Sequence, residues 1–204
     1  MSQTVKITGE MVARLREKTS CGMMDCKQAL IETDGDEEKA VAKLREKGIA
    51  TALKKSSRTA KEGLIFSYIH PGSKLGVLLE LNCETDFVAK TEDFQNLGKE
   101  ISLQIAASSP AVVGIENIPA DELSKEKEIL KAQALKEGKP EKILEKIITG
   151  RLDKFYERIC LLEQLYIRDT SGKKKVRELI TDAVAKLGEN ISVKRFARFK
   201  IGEE

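Results

Sequence analysis

The sequence has no tryptophan, three tyrosines and six phenylalanines, so aromatic residues occupy only 4% of its 204 positions. Stacking platforms for single-stranded nucleic acid need several aromatic rings, and rings are scarce here. There is one histidine, His70, and there are four cysteines: Cys21, Cys26, Cys83 and Cys160. Cys21 and Cys26 stand too far apart for a Cys-x-x-Cys pair, and a lone histidine cannot complete a zinc site. The cysteines read instead as small buried hydrophobes in a reducing compartment. No apolar run reaches the length of a membrane span. The first residues, Met1-Ser2-Gln3-Thr4-Val5-Lys6, carry no apolar signal-peptide core. These absences predict a cytoplasmic protein, or its equivalent inside an organelle, with no membrane partner. A large excess of one charge is missing too: 36 basic and 33 acidic residues leave a net +3. A dedicated nucleic-acid binder carries a marked basic excess, so direct nucleic-acid contact is not expected. No Walker loop, GxGxxG turn, nucleophile elbow or HExxH helix occurs. His70, at a turn and without such a nucleophile, reads as structural or exposed. An enzyme is therefore disfavoured, and no cofactor or metal is called for.

What remains is a charged, mostly helical sequence, 34% Asp, Glu, Lys and Arg, long enough to bury roughly 70% of its unfolded surface in one domain or two small ones. It is organised around Leu81-Asn82-Cys83-Glu84-Thr85-Asp86-Phe87-Val88-Ala89-Lys90. An apolar strand, Leu75 to Leu81, runs into this stretch. A helix signal follows it, with Thr91 as N-cap and Glu92 and Asp93 in the first turn. Asp86 and Phe87 should therefore sit on a short turn held from both ends. Phe87 is either a plug over the protein's own core or a wedge meant for another molecule. The local pattern by itself favours the plug, because isolated aromatics near element ends usually pack inward. Glu80, Glu84 and Asp86 lie close in sequence, but such alternation along a strand is common without acid or base chemistry.

In chain order, residues 1–48 predict three short helices. Met11, Val12 and Leu15 follow Thr8 at helical spacing. Thr19-Ser20-Cys21-Gly22 breaks the first helix, and the second runs from about Met24 to Glu32. Asp36 caps the third, whose inner stripe is Ala40, Val41 and Leu44 and whose stop is Gly48. Met23 and Met24 fall in the loop after Gly22. Either one points inward and the other is incidentally exposed, or both form an adaptable contact surface. Residues 49–62 read as a basic linker with some helical content. A hairpin follows: Leu64–Ile69, the turn His70-Pro71-Gly72-Ser73, and Leu75–Leu81. A helix from about Glu92 to Ala107 shows one apolar face of Phe94, Leu97, Ile101 and Ile105. Asp121 is the expected cap of a helix reaching Lys136, and Gly138-Lys139-Pro140 is a break. A further helix from about Glu141 to Cys160, with apolar residues near helical spacing at Ile143, Ile147, Leu152, Phe155 and Ile159, completes a helical hairpin. A last helix of about Lys175 to Leu187 stops at Gly188. A final strand, in which Ile191, Val193, Arg195 and Ala197 alternate with Ser192, Lys194, Phe196 and Arg198, should join the hairpin. The expected fold is α+β: a three-helix bundle over 1–48, a linker over 49–62, and a core over 63–204. That core should hold a small three-stranded antiparallel sheet, packed helices and a helical hairpin.

Two long stretches carry a resemblance. Val12-Ala13-Arg14-Leu15-Arg16-Glu17-Lys18-Thr19 with Gly22-Met23-Met24-Asp25-Cys26-Lys27-Gln28-Ala29-Leu30 is similar to the N-terminal signature of the translation elongation factor Ts family. Glu80-Leu81-Asn82-Cys83-Glu84-Thr85-Asp86-Phe87-Val88-Ala89 resembles its second signature. Gly150-Arg151-Leu152, Phe155-Tyr156 and Gly188-Glu189-Asn190-Ile191 through Phe199 resemble later blocks. The likeness spans nearly the whole chain, with Ser20-Cys21 standing where the family usually has Gly-Ala.

The resemblance implies a guanine nucleotide exchange factor for elongation factor Tu that promotes GDP release during translation elongation. It implies that the N-terminal module is ubiquitin-associated-like and docks on the nucleotide domain of Tu, with Arg14, Met23 and Met24 in the matching segment. It implies that Thr85, Asp86, Phe87 and Val88 intrude beside the Mg²⁺ site of the partner, which turns the expectation for Phe87 from plug to wedge. Short members of the family pair as homodimers, so a dimer and a two-plus-two assembly with Tu are implied, with the apolar outer edge of the sheet as the contact. Two readings from other classes compete: a scaffold binding ubiquitin-like tails, and a redox protein using Cys21 and Cys26.

Overall fold

A computed structural model describes residues 6–19, 21–138 and 140–203. Among them the chain forms eight α-helices and one three-stranded antiparallel sheet, an α+β fold. It divides into two compact units: Met1–Leu64 with Asn82–Leu97 and Ile180–Ser192, and Ile65–Leu81 with Gly98–Leu179 and Val193–Glu204.

The first unit opens with a three-helix bundle: α1 (Gly9–Thr19), α2 (Met23–Glu32) and α3 (Glu37–Lys55). The starts of α1 and α3 have a chemical cause. The Thr8 hydroxyl accepts the Met11 amide at 3.3 Å, and the Asp36 carboxylate accepts the Lys39 amide at 3.0 Å; both occupy orphan donors of a first turn. Val12, Leu15, Cys26, Ala29, Leu30, Ala40 and Leu44 form the bundle core. Val41 does not join them; it is 37% exposed. Ala40 and Leu44 are four apart and share a face, while Val41 lies about 100° around the helix. Gly48 does not stop α3, which continues to Lys55 through residues expected to be linker. Beyond Gly48 the chain keeps good helix formers, and a Cβ built at Gly48 would rest 3.6 Å from the Ala185 Cβ, an ordinary contact. Ser20 of the expected break and Lys139 of the later one lie outside the described residues.

The sheet has the order β1-β2-β3, with β1 (Glu62–Ile69), β2 (Leu75–Cys83) and β3 (Ser192–Lys200). The Gly72 turn closes the hairpin, with the His70 amide donating to the Leu75 carbonyl at 2.9 Å. Alternation along β2 sends Val77, Leu79, Leu81 and Cys83 inward and leaves Leu78 half exposed, as a period of two requires. After β2 come α4 (Asp86–Ala89) and α5 (Glu92–Ser108). The expected face of α5 is buried at every position: Phe94, Leu97, Ile101 and Ile105.

In the second unit α6 (Ala120–Lys136) and α7 (Glu141–Ile159) pack as a helical hairpin around Leu130, Leu152, Phe155 and Cys160. Pro119, not Asp121, stands at the N-cap of α6; Asp121 falls in its first turn. On α7 it is Leu144 that is buried, while Ile143 is 44% exposed. Leu144, Leu152 and Phe155 follow one helical face that Ile143 misses by one residue. Then α8 (Val176–Leu187) ends at Gly188, whose φ of +79° suits glycine and turns the chain towards β3.

Two glycines in helices should respond to alanine with opposite sign. Gly48→Ala adds a methyl group at ordinary contact distance from Ala185, in the body of a helix, and should raise stability by about 0.5–1 kcal/mol. At Gly98 the Phe66 ring stands 2.3 Å from where a Cβ would lie. Gly98→Ala must push that ring away and should lower stability by about 1–2 kcal/mol. Urea unfolding of both variants checks this; shifts of the same sign would contradict the packing described.

Candidate functional site

Burial of Leu81 and Cys83 fixes the end of β2, and burial of Ala89 fixes the end of α4. Between them the chain must turn outward within a few residues. Thr85 starts the turn with extended backbone, and its hydroxyl accepts the Val88 amide at 3.4 Å. The segment expected as a turn is thus a single capped helical turn. Thr91 closes its far side. Its hydroxyl donates to the Val88 carbonyl at 2.7 Å and accepts the Phe94 amide at 3.3 Å, so one side chain ends α4 and begins α5. Below the turn the Cys83 thiol donates to the Thr85 carbonyl at 3.1 Å.

Phe87 projects from this turn and is 78% exposed. It does not plug the core, contrary to the local pattern. Leaving a phenyl ring in water forgoes roughly 1.5–3 kcal/mol of burial, and no contact within the turn recovers that amount. Lys90 stands over the ring at 5.9 Å and donates to the Asp86 carboxylate at 2.6 Å. That hydrogen bond holds the Asp86 carboxyl below its usual range, so it is ionised at neutral pH. Val88 is half-buried. Thr85, Asp86, Phe87 and Val88 therefore form one small knob: an exposed ring, a charge beside it, and a braced base.

The other expected contact residues lie on the helical bundle. Met23 and Met24 are in the first turn of α2, not in a loop, and both are exposed, at 57% and 74%. The alternative with one of them inside does not hold. Two large apolar side chains in water at one helix start make an adaptable surface. Arg14 faces Glu37 across 3.4 Å and stays mostly solvent-accessible.

The three carboxylates close in sequence do not converge. Glu80 accepts from Arg195 at 2.7 Å, Glu84 from the Asn190 amide at 2.7 Å, and Asp86 from Lys90. Among the described residues no group of three or more His, Cys, Asp or Glu side chains is arranged to hold a metal. Cys26 is buried and Cys21 half-buried. Burial pushes the Cys21 thiol up, the opposite of what a reactive thiolate needs, which weighs against the redox reading. No helix among the described residues is long and apolar enough to cross a membrane.

One residue that sequence reasoning left without a role stands directly on the turn. Glu189 accepts both the Glu84 and Thr85 amides at 3.0 Å on one oxygen, and the Thr85 hydroxyl at 2.6 Å on the other. Only the Gly188-Glu189-Asn190-Ile191 block pointed near it.

Comparison with known proteins decides the family. The family model described as Elongation factor TS matches residues 6–203. The chain belongs to the elongation factor Ts family. Proteins named Elongation factor Ts are close to it along almost their whole length. That of Syntrophomonas wolfei subsp. wolfei is 57% identical over 197 residues, covering 97% of this chain and 91% of the relative. That of Caldanaerobacter subterraneus subsp. tengcongensis is 58% identical over 197 residues, covering 97% and 98%. That of Anaeromyxobacter sp. strain K is 58% identical over 198 residues, covering 97% and 90%. The exposed Phe87 knob thus belongs to a translation elongation factor of the Ts family.

The floor of the knob should titrate. Burial, and after it the charge of Glu189, push the Cys83 thiol from 9.0 up to about 11. The folded chain then keeps this proton after the unfolded chain has lost it, so Cys83 favours folding fully below the unfolded value and less as pH climbs to the folded one. Urea unfolding at about pH 8 and about pH 10.5 should show the native chain losing more stability than Cys83→Ala does. Equal losses in both proteins would contradict the buried, neutral thiol.

Proposed function

We propose that this chain is a guanine nucleotide exchange factor for elongation factor Tu, acting by insertion of the Phe87 knob beside the partner's Mg²⁺ and phosphate site. Family membership supports the partner, and the observation that carries the mechanism is the 78% exposure of Phe87 on a braced turn. GDP is gripped by its phosphates, partly through Mg²⁺ and the residues that hold the metal. A ring pressed between those residues shifts ligands whose geometry Mg²⁺ demands to be nearly octahedral, and affinity drops. Asp86 and Thr85 present the ring; Val88 backs it. Linkage makes the effect reciprocal: the factor weakens nucleotide by the same factor that nucleotide weakens the factor. Incoming GTP then displaces the protein. No bond chemistry is required of this chain.

In this reading the N-terminal module, residues 1–48, docks on the nucleotide domain of Tu through Met23, Met24 and Arg14. Residues 49–62 connect it to the core of 63–204. The protein works in the cytoplasm as a homodimer. Ile69, Leu78, Phe199 and Ile201 are all exposed and line one shallow groove on the sheet. A second copy would cover the same residues of the first, as a two-fold contact requires, giving two factors and two Tu molecules per complex. Single apolar residues are ordinary on surfaces, but four on one groove argue for a covering partner.

Release of a fluorescent GDP from Tu tests the proposal. Phe87→Ala should slow stimulated release by about tenfold or more while binding weakens much less, the signature of an interaction made only in the strained state. Met23→Ala with Met24→Ala should instead mainly raise the concentration of factor needed. Equal loss of binding and acceleration in Phe87→Ala would contradict the knob.

A further inference from the structure

We infer that Glu189 is a positioning residue for the Phe87 knob, setting the direction in which α4 presents its ring; this rests on the exchange-factor reading above. A single helical turn does not hold itself in water, because nucleation costs more than its few hydrogen bonds return. Its approach, Glu84-Thr85, presents two successive backbone amides that have no partner in α4. Glu189 lies 105 residues further along the chain and takes both amides on one carboxylate oxygen, each at 3.0 Å. Hydrogen bonds to a charged acceptor are the strong class, so this grip exceeds what two water contacts would supply.

The second carboxylate oxygen decides how the cap works. It accepts the Thr85 hydroxyl proton at 2.6 Å. With its proton committed there, the hydroxyl offers a lone pair to the Val88 amide, the bond that starts α4. Glu189 therefore fixes the backbone entering the knob and the orientation of its cap. The grip is returned from the other side. Glu84 accepts the Asn190 amide at 2.7 Å, and the Asn190 side chain donates to the Arg58 carbonyl at 2.7 Å. Lys55 donates to the Gly188 carbonyl. Glu189 is thus itself held, between an anchored Gly188 and an anchored Asn190, and does not swing as a surface glutamate would.

No atom of Glu189 needs to touch Tu, and its removal should act on the rate through the knob alone. The full-length chain and Tu carrying a fluorescent GDP are the probe. Glu189→Ala should lower the maximal release rate about tenfold with the half-saturating concentration changed less than about twofold, since a misplacement near 1 Å can cost more than that. Glu189→Gln should recover the rate to within about threefold, because its carbonyl accepts both amides and its NH₂ donates to Thr85 Oγ1. In the protein without Tu, the Glu84 and Thr85 amides should exchange hydrogen faster in Glu189→Ala and stay protected in Glu189→Gln. If Glu189→Ala unfolds, Glu189→Asp, which keeps the charge but draws the oxygens back, should show the same loss of maximal rate. A maximal rate equal to that of the unaltered protein in a folded Ala or Asp variant overturns the inference. So does loss of activity only in proportion to loss of folded protein. Phe87→Ala run in parallel separates the two ideas. If it is slow while Glu189→Ala is normal, only the positioning role falls; if it too is normal, the exchange reading falls first.

Discussion

Four residues of helix cannot keep their shape in water, so the direction of the Phe87 ring depends on what brackets Asp86–Ala89. That constraint explains why so much of the first unit converges on a short segment. The buried end of β2 delivers the chain, the Thr85 and Thr91 hydroxyls mark the two limits of the turn, and the carboxylate of Glu189 grips the backbone before it. An exposed phenyl ring on a loose loop would fold back onto apolar surface. Held by fixed hydrogen bonds on both sides, it stays in water.

The helix that follows the knob is fixed by its own burial. The apolar face of α5 begins one turn after the knob with Phe94, and burial of Phe94, Leu97, Ile101 and Ile105 locks the helix that Thr91 caps. The knob is therefore braced by hydrogen bonds and by the packing of α5. The N-terminal bundle is small, with a core of seven buried side chains. Such a module has little stability to spare, and the two exposed methionines at the start of α2 are surface it forgoes burying. In the proposed exchange both exposures have the same rationale: apolar area left in water on one protein is area available to the next.

Much of this was legible in the sequence, for reasons that are local. The face of α5, the caps at Asp36 and Thr91, the hairpin turn and the stop at Gly188 all follow from neighbours within a few residues. The family was legible because two long motifs stand in order. What escaped was decided at a distance. Gly48 carries the usual signature of a helix end, yet α3 runs on because the residues beyond it are helix formers and the contact at Ala185 has room for it. Helical spacing places Val41 on the inner stripe of α3 and fits Ile143 on α7, yet both are exposed, because an apolar neighbour one residue away takes the inward position in each helix. Phe87 was ambiguous because an aromatic near an element end normally packs; only the surrounding fold shows that no wall stands over it. The role of Glu189 had no local signal beyond the block it stands in, since its partners are more than a hundred residues earlier.

In the proposed exchange the Phe87 ring, which stands free in this protein, becomes enclosed when Tu gives up its nucleotide. Fluorine NMR of the full-length chain with a fluorinated phenylalanine at position 87 reports that enclosure directly. The resonance should move on addition of nucleotide-free Tu and return to its free position when GDP is added to saturation. A resonance that stays where it began while Tu binds would contradict the account.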